Sequence, residues 1–217
     1  MKTTSWLLGA LTALSLGACG VPNETSIEIL GAIPYDATVD ETTGAVTSCI
    51  VSGDATVKES AGAMDLALRT AAGTVPGFQQ GFVVRNNLPD NTNESSSRLN
   101  SNNFTIDKVV VGFSAIDEAT ATAVSGFQTE VPMVLKIETG GTQGVNVPLI
   151  PSNIATGLEA IIPAGTSQTL IANFRLEGRT GGQIRISTGE VSFPVQVCNG
   201  CLVDTCGPEC LCSHSGF

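Results

Sequence analysis

Beyond residue 25 the chain is dominated by strict alternation of apolar and polar positions. In EVSFPVQV, Val191, Phe193, Val195 and Val197 share one face, opposite Ser192, Pro194 and Gln196. In TLIANFRLEG, Leu170, Ala172, Phe174 and Leu176 oppose Asn173, Arg175 and Glu177. EVPMVLKIE points Val131, Met133, Leu135 and Ile137 one way, and AMDLALR does the same with Met64, Leu66 and Leu68. QIRIS places Ile184 and Ile186 opposite Arg185. A period of two marks half-buried strands. SIEILGAI, VTSCIVS, GFVVRNNL, FTIDKVVVGFSA and GVNVPLI extend the series. Pro194 lacks a backbone donor, so its strand needs a free side there.

Turn-forming clusters separate these runs: PDNTNESSSRLNSNN at 89–103, TGGTQG at 139–144, read as a hairpin connection, and RTGG at 179–182. About 8–10 short strands at this spacing predict an all-β fold, an immunoglobulin-like or jelly-roll-like β-sandwich. One segment departs from the pattern. PSNIATGLEAIIP lies between Pro151 and Pro163, with Ile154, Leu158 and Ile161 at helical spacing. It predicts one short helix near 152–162, with Ser152 as N-cap, closing an end of the sandwich.

The front of the chain is different. MKTTSWLLGALTALSLGACG has a positive start at Lys2, an apolar run from Trp6 to Leu16, and Leu16-Gly17-Ala18 leading to Cys19. The run is too short for a permanent span. It resembles the bacterial lipobox, which implies cleavage after residue 18 and acylation of Cys19, with palmitate among the chains. Lipid would then be the anchor, at about 0.8 kcal/mol per buried methylene. Gly20, rather than aspartate, follows the cysteine and leans towards the outer membrane over the inner. The linker 19–25 reaches about 23 Å when extended, so the domain at 26–197 would sit close to its membrane.

Charge narrows the partners. The net charge is −10, and the basic residues are scattered. This argues against nucleic acid and against electrostatic attraction to anionic lipid. An envelope protein or polysaccharide remains the expected kind of partner. The polar loop 89–103 is the expected contact surface, with Asp90, Asn91, Asn93, Glu94 and Arg98 as candidates, because binding residues concentrate on loops held by a rigid scaffold. Read as a calcium loop, it lacks the glycine and distal glutamate of a helix-loop-helix site.

With Cys19 lipidated, six cysteines remain: Cys49, Cys198, Cys201, Cys206, Cys210 and Cys212. An even number in an oxidising compartment predicts disulfides, concentrated in a tail at 198–217. Cys49 has no neighbour, so its partner must come from the tail. Cys198 or Cys201 is the simplest candidate, since both lie at a strand end. That bond would close a loop of about 150 residues, valued near 5 kcal/mol by chain entropy. A metal reading would use Cys198, Cys201, Cys212 and His214, but only the first pair has the spacing of a zinc knuckle. A redox reading rests on the same Cys-x-x-Cys and ranks last, for lack of a helix N-terminus to lower a thiol pKa.

The chain shows no Gly-x-Ser-x-Gly, His-Glu-x-x-His or phosphate loop. The only histidine, His214, lies three residues from the end, a poor place for a rigidly held base. The expected function is therefore non-enzymatic, without a cofactor. A polysaccharide hydrolase built on a carboxylate pair is the alternative, for which adjacent Asp117 and Glu118 would more ordinarily be a solvated turn.

Three elements carry a further resemblance. They are FVVRNNLPD, the approach from Arg98 to Asn103 into FTIDKVVV, and Val197-Cys198-Asn199-Gly200-Cys201-Leu202. Over roughly residues 60–205 the chain resembles a group of predicted lipoproteins from myxobacteria and similar bacteria. The resemblance implies location and fold more than activity. The compact ending CGPECLCSHSGF departs from that group, in which a longer polar stretch and a terminal cysteine pair would be expected.

Overall fold

The computed structural model describes residues 26–43, 46–51, 56, 58–90, 102–201 and 213–215. In chain order the strands are β1 (Ile27–Ile33), β2 (Asp36–Val39), β3 (Val46–Ile50), β4 (Gly62–Asp65), β5 (Gly77–Asn86), β6 (Phe104–Ala115), β7 (Gln128–Ile137) and β8 (Thr142–Ile150). β9 (Ser167–Thr180), β10 (Arg185–Ser187), β11 (Val191–Cys198) and β12 (His214–Ser215) complete them. Two helices interrupt the series, α1 (Glu118–Val124) and α2 (Ser152–Glu159).

Two sheets face each other. In the first, β5 pairs with β8 along one edge and with β1 along the other. The short β12 pairs with Gly77 and Phe78, the part of β5 that β1 does not reach. The second sheet runs β4-β11-β9-β6-β7, and β10 extends β11's side of β9. All pairs are antiparallel except β4 with β11. The fold is an all-β sandwich.

The alternation read from sequence is the alternation of burial. Leu170, Ala172, Phe174 and Leu176 are fully buried, as are Val195 and Val197. They meet Phe78, Phe82 and Val84 of β5 across the sandwich. Phe82 lies 4.7 Å from Phe174 and 5.5 Å edge-on from Phe193, centroid to centroid. Edge-to-face and tilted rings of this kind add to their area burial. Pro194 is accommodated as expected: β4 pairs with β11 only from Val195 onward, leaving Pro194 a free side.

The β2–β3 hairpin stands apart from the two large sheets, with its residues half-buried or exposed. The residue that follows it, Val51, lies on Gly81 and Gly144, where any Cβ would collide with Val51. Both faces of β5 are therefore buried at its centre, and Val83 is hidden along with Phe82.

Four expectations need correction. TGGTQG is not a hairpin, because β7 pairs in one sheet and β8 in the other; the turn at Gly140 (φ +67°) carries the chain across the sandwich edge. Ile184 is two-thirds exposed, since the β9–β10 turn holds it outside the sheet. In α2 the N-cap is Pro151, and Ser152 is the first helical residue. The helix stops at Glu159, so Ile162 rather than Ile161 enters the core. α1 was not anticipated. It is short and starts at Asp117, whose carboxylate accepts the Thr120 amide as a helix cap.

Candidate functional site

Where β4 ends beside β11, the chain makes a closely tied turn. Cys198 and Cys201 are bonded to each other, with Cα atoms 6.0 Å apart across Asn199-Gly200. Gly200 adopts φ +90°, a conformation that glycine takes without strain. Its amide donates to Oδ1 of Asp65 at 2.6 Å, and the same oxygen accepts the Ala67 amide at 2.9 Å. The Leu66 amide donates to the Cys198 carbonyl at 2.8 Å. Asn199 donates through its side chain to the Ile162 carbonyl and through its amide to the Thr166 carbonyl, and accepts the Gly165 amide. Every residue of the turn up to Gly200 is fixed by hydrogen bonds that do not involve sulfur.

Asp65 is fully buried, as is Cys198, while Cys201 is exposed. A carboxylate oxygen of Asp65 and the two sulfurs lie within 4.8 Å of one another. No local pattern signalled this. Alternation places Asp65 opposite Met64 and Leu66, on a face expected to be wet. The 198–201 turn, 135 residues away in sequence, covers that face. With the sulfurs bonded to each other, the group is not a metal site in this state.

The pairing corrects one expectation. Cys198 and Cys201 are each other's partners, so neither bonds Cys49. The glycine turn brings them together locally, at lower entropic cost than a long-range bond. Cys49, in β3, is itself disulfide-bonded. A loop with a sequence separation of 3 is worth about 2 kcal/mol by chain entropy, less than the roughly 5 expected for a Cys49 bond to either of these cysteines.

The remaining candidates are dispersed. Cys19, Cys206, Cys210, Cys212, Asn91, Asn93, Glu94 and Arg98 lie outside the described residues. Asp90 is exposed just beyond β5. His214 is held by backbone pairing in β12, not on a free end. Of the described acids, Asp65 alone is fully buried. Asp117 and Glu118 open α1, and the amide of Thr120 holds the Asp117 carboxyl below its ordinary range, the reverse of a catalytic acid's shift.

Two surface features were missed. The outer face of the second sheet carries an ion-pair network of Lys108 with Glu130 and Glu177, Arg175 with Glu177, and Arg179 with Asp107. Burial raises the Glu177 carboxyl, but Arg175 and Lys108 outweigh this and hold it below its ordinary value. The second feature is a shallow apolar hollow of about 390 Å³ between the end of β3 and edge strand β7. Ile50 and Val134 stand exposed at its rim, Val134 at 88%. Met133, Leu135 and Val51 line it.

No protein-family model matches the chain, and no curated protein matches it either. Among the described residues, no helix is long and apolar enough to cross a membrane.

Proposed function

We propose that this chain is a lipid-anchored, non-enzymatic binding module of the bacterial cell envelope. Its anchor is the acylated Cys19, on the outer membrane in preference to the inner. The reading of the anchor rests on the order of charge, apolar run, small residues and cysteine at the front.

The observation that carries the binding role is the apolar hollow beside β7. Exposed Ile50 and Val134 flank it on a rigid scaffold, and aliphatic side chains left bare beside a strand that is paired on one side only among the described residues mark an association surface. The sandwich edge is thus the proposed contact surface beside the 89–103 loop, most of which lies outside the described residues. The partner that suits it is an envelope protein offering apolar side chains, since a polysaccharide would ask for polar or aromatic contacts.

A photo-crosslinking residue at Val134 in the anchored protein should yield a discrete adduct in the envelope. The same residue at Arg185, on the charged outer face of the second sheet, should not. Equal labelling at both positions, or an Ile50→Lys/Val134→Lys variant that keeps the adduct partner bound, would overturn the assignment.

A further inference from the structure

We infer that Cys198–Cys201 is a thiol–disulfide exchange site, with Asp65 as the proton acceptor for the buried sulfur. Three observations converge. The bond is structurally redundant: the turn is held by the Asp65 carboxylate, the Leu66 amide, the Ile162 and Thr166 carbonyls and the Gly165 amide. It closes a loop with a sequence separation of only 3, so folding protects it less than a long-range disulfide. Its two ends differ, with Cys201 exposed and Cys198 buried beside a buried carboxylate. A staple needs none of that asymmetry. Exchange needs an accessible sulfur for attack and a sheltered one that leaves and returns.

The chemistry follows from the placement. An external thiolate attacks Sγ of Cys201. The Sγ–Sγ bond breaks, a mixed disulfide forms on Cys201, and the electron pair leaves with Cys198, which takes up a proton. A second external thiolate attacks the external sulfur of the mixed disulfide and releases Cys201. In sum, one protein disulfide and two small thiols give one protein dithiol and one small disulfide. In the oxidising direction, Cys201 attacks a small disulfide and expels one thiolate. The Cys198 thiol must then lose its proton to attack Cys201 and displace the second. The Asp65 carboxylate, within 4.8 Å of both sulfurs, is the group placed to accept that proton, directly or through one water. Because Asp65 also holds the Gly200 amide, the open dithiol keeps the geometry that re-forms the bond.

This inference is independent of the hollow beside β7. The test uses the full exported chain in its oxidised form. It is incubated with dithiothreitol at neutral pH under folding conditions, then differentially alkylated and mapped by peptide mass. Cys198–Cys201 should open at least about tenfold faster than the disulfide of Cys49, with the far-ultraviolet circular dichroism unchanged. Opening only on unfolding, or no faster than the Cys49 bond, would overturn the inference. With a small aromatic disulfide as oxidant, Cys198→Ala should accumulate a mixed disulfide at Cys201. An adduct forming as readily on Cys198 in Cys201→Ala would overturn the assigned direction. For Asp65, the readout is the pH profile of ring closure. Asp65→Asn keeps an acceptor for Gly200, yet should slow closure on the order of a hundredfold and remove the acidic limb of the profile. An unchanged profile would make Asp65 only a structural tie.

Discussion

The side chain of Asn86, at the end of β5, donates to the carbonyl of Ile137, at the end of β7, across the two sheets of the sandwich. The same amide group donates to the Asn102 carbonyl at 2.9 Å, and its Oδ1 accepts the Leu88 amide at 3.1 Å. One fully buried residue thus closes three chain segments at the end of the fold where strands change sheets. Replacing it removes two donated hydrogen bonds and one accepted one, one of them fully buried. Asn86→Ala should cost about 2–3 kcal/mol, read as a lower urea midpoint at an unchanged slope. A loss below about 0.5 kcal/mol would mean that water replaces the amide and that the clip is dispensable.

Phe82 touches both Phe174 and Phe193 and is the aromatic centre of the core. Phe82→Ala should remove about 3–5 kcal/mol, while Phe82→Leu should lose less because it leaves a smaller cavity. Equal losses would place the cost in the ring contacts rather than in volume.

Gly144 and Gly112 make a controlled pair. A Cβ at 144 would strike Val51, whereas one at 112 meets nothing within 4 Å. Gly144→Ala should lower the melting temperature by several degrees and expose Val83 as Val51 is pushed away. Gly112→Ala should be close to neutral. Hydrogen exchange at Val83 would show whether Val51 has moved.

Glu177 predicts a pH dependence. Its folded carboxyl lies below the ordinary 4.5, so the unfolded chain binds its proton first as pH falls. Its stabilisation is complete above that ordinary value and is lost as pH falls through the depressed folded one. The gap in urea midpoint between the parent and Glu177→Gln should therefore be constant at neutral pH and close in acid. A gap that widened in acid would reverse the sign.

The anchor is tested at Cys19. The full chain, expressed in a bacterium that processes lipoproteins, should gain the mass of its acyl chains and partition with membranes. Cys19→Ala should abolish both. Release of Cys19→Ala with an unaltered mass difference would refute acylation at that position.

Much of the fold was legible because burial in a two-layer sandwich repeats every two residues. Leu170 to Leu176 and Phe193 to Val197 declared their inner faces in the sequence, and Pro194 declared a free side. Ile184 misled because alternation does not say where a strand stops, and the turn at Thr180–Ile184 takes that side chain out of the sheet. TGGTQG misled for a related reason, since the same glycine turn serves a hairpin or a crossing between sheets.

The sequence by itself determined the elements that depend on local order: strand faces, the helix between Pro151 and Pro163, and the succession of charge, apolar run and cysteine at the front. Tertiary structure decided what depends on distant segments meeting. Why Asp65 is dry and why Val134 is left bare beside Ile50 both follow from contacts between residues far apart in the chain. Period-two patterning specifies a face but not its neighbour. The neighbour is set by how the sheets stack, and that stacking put a carboxylate beside two sulfurs.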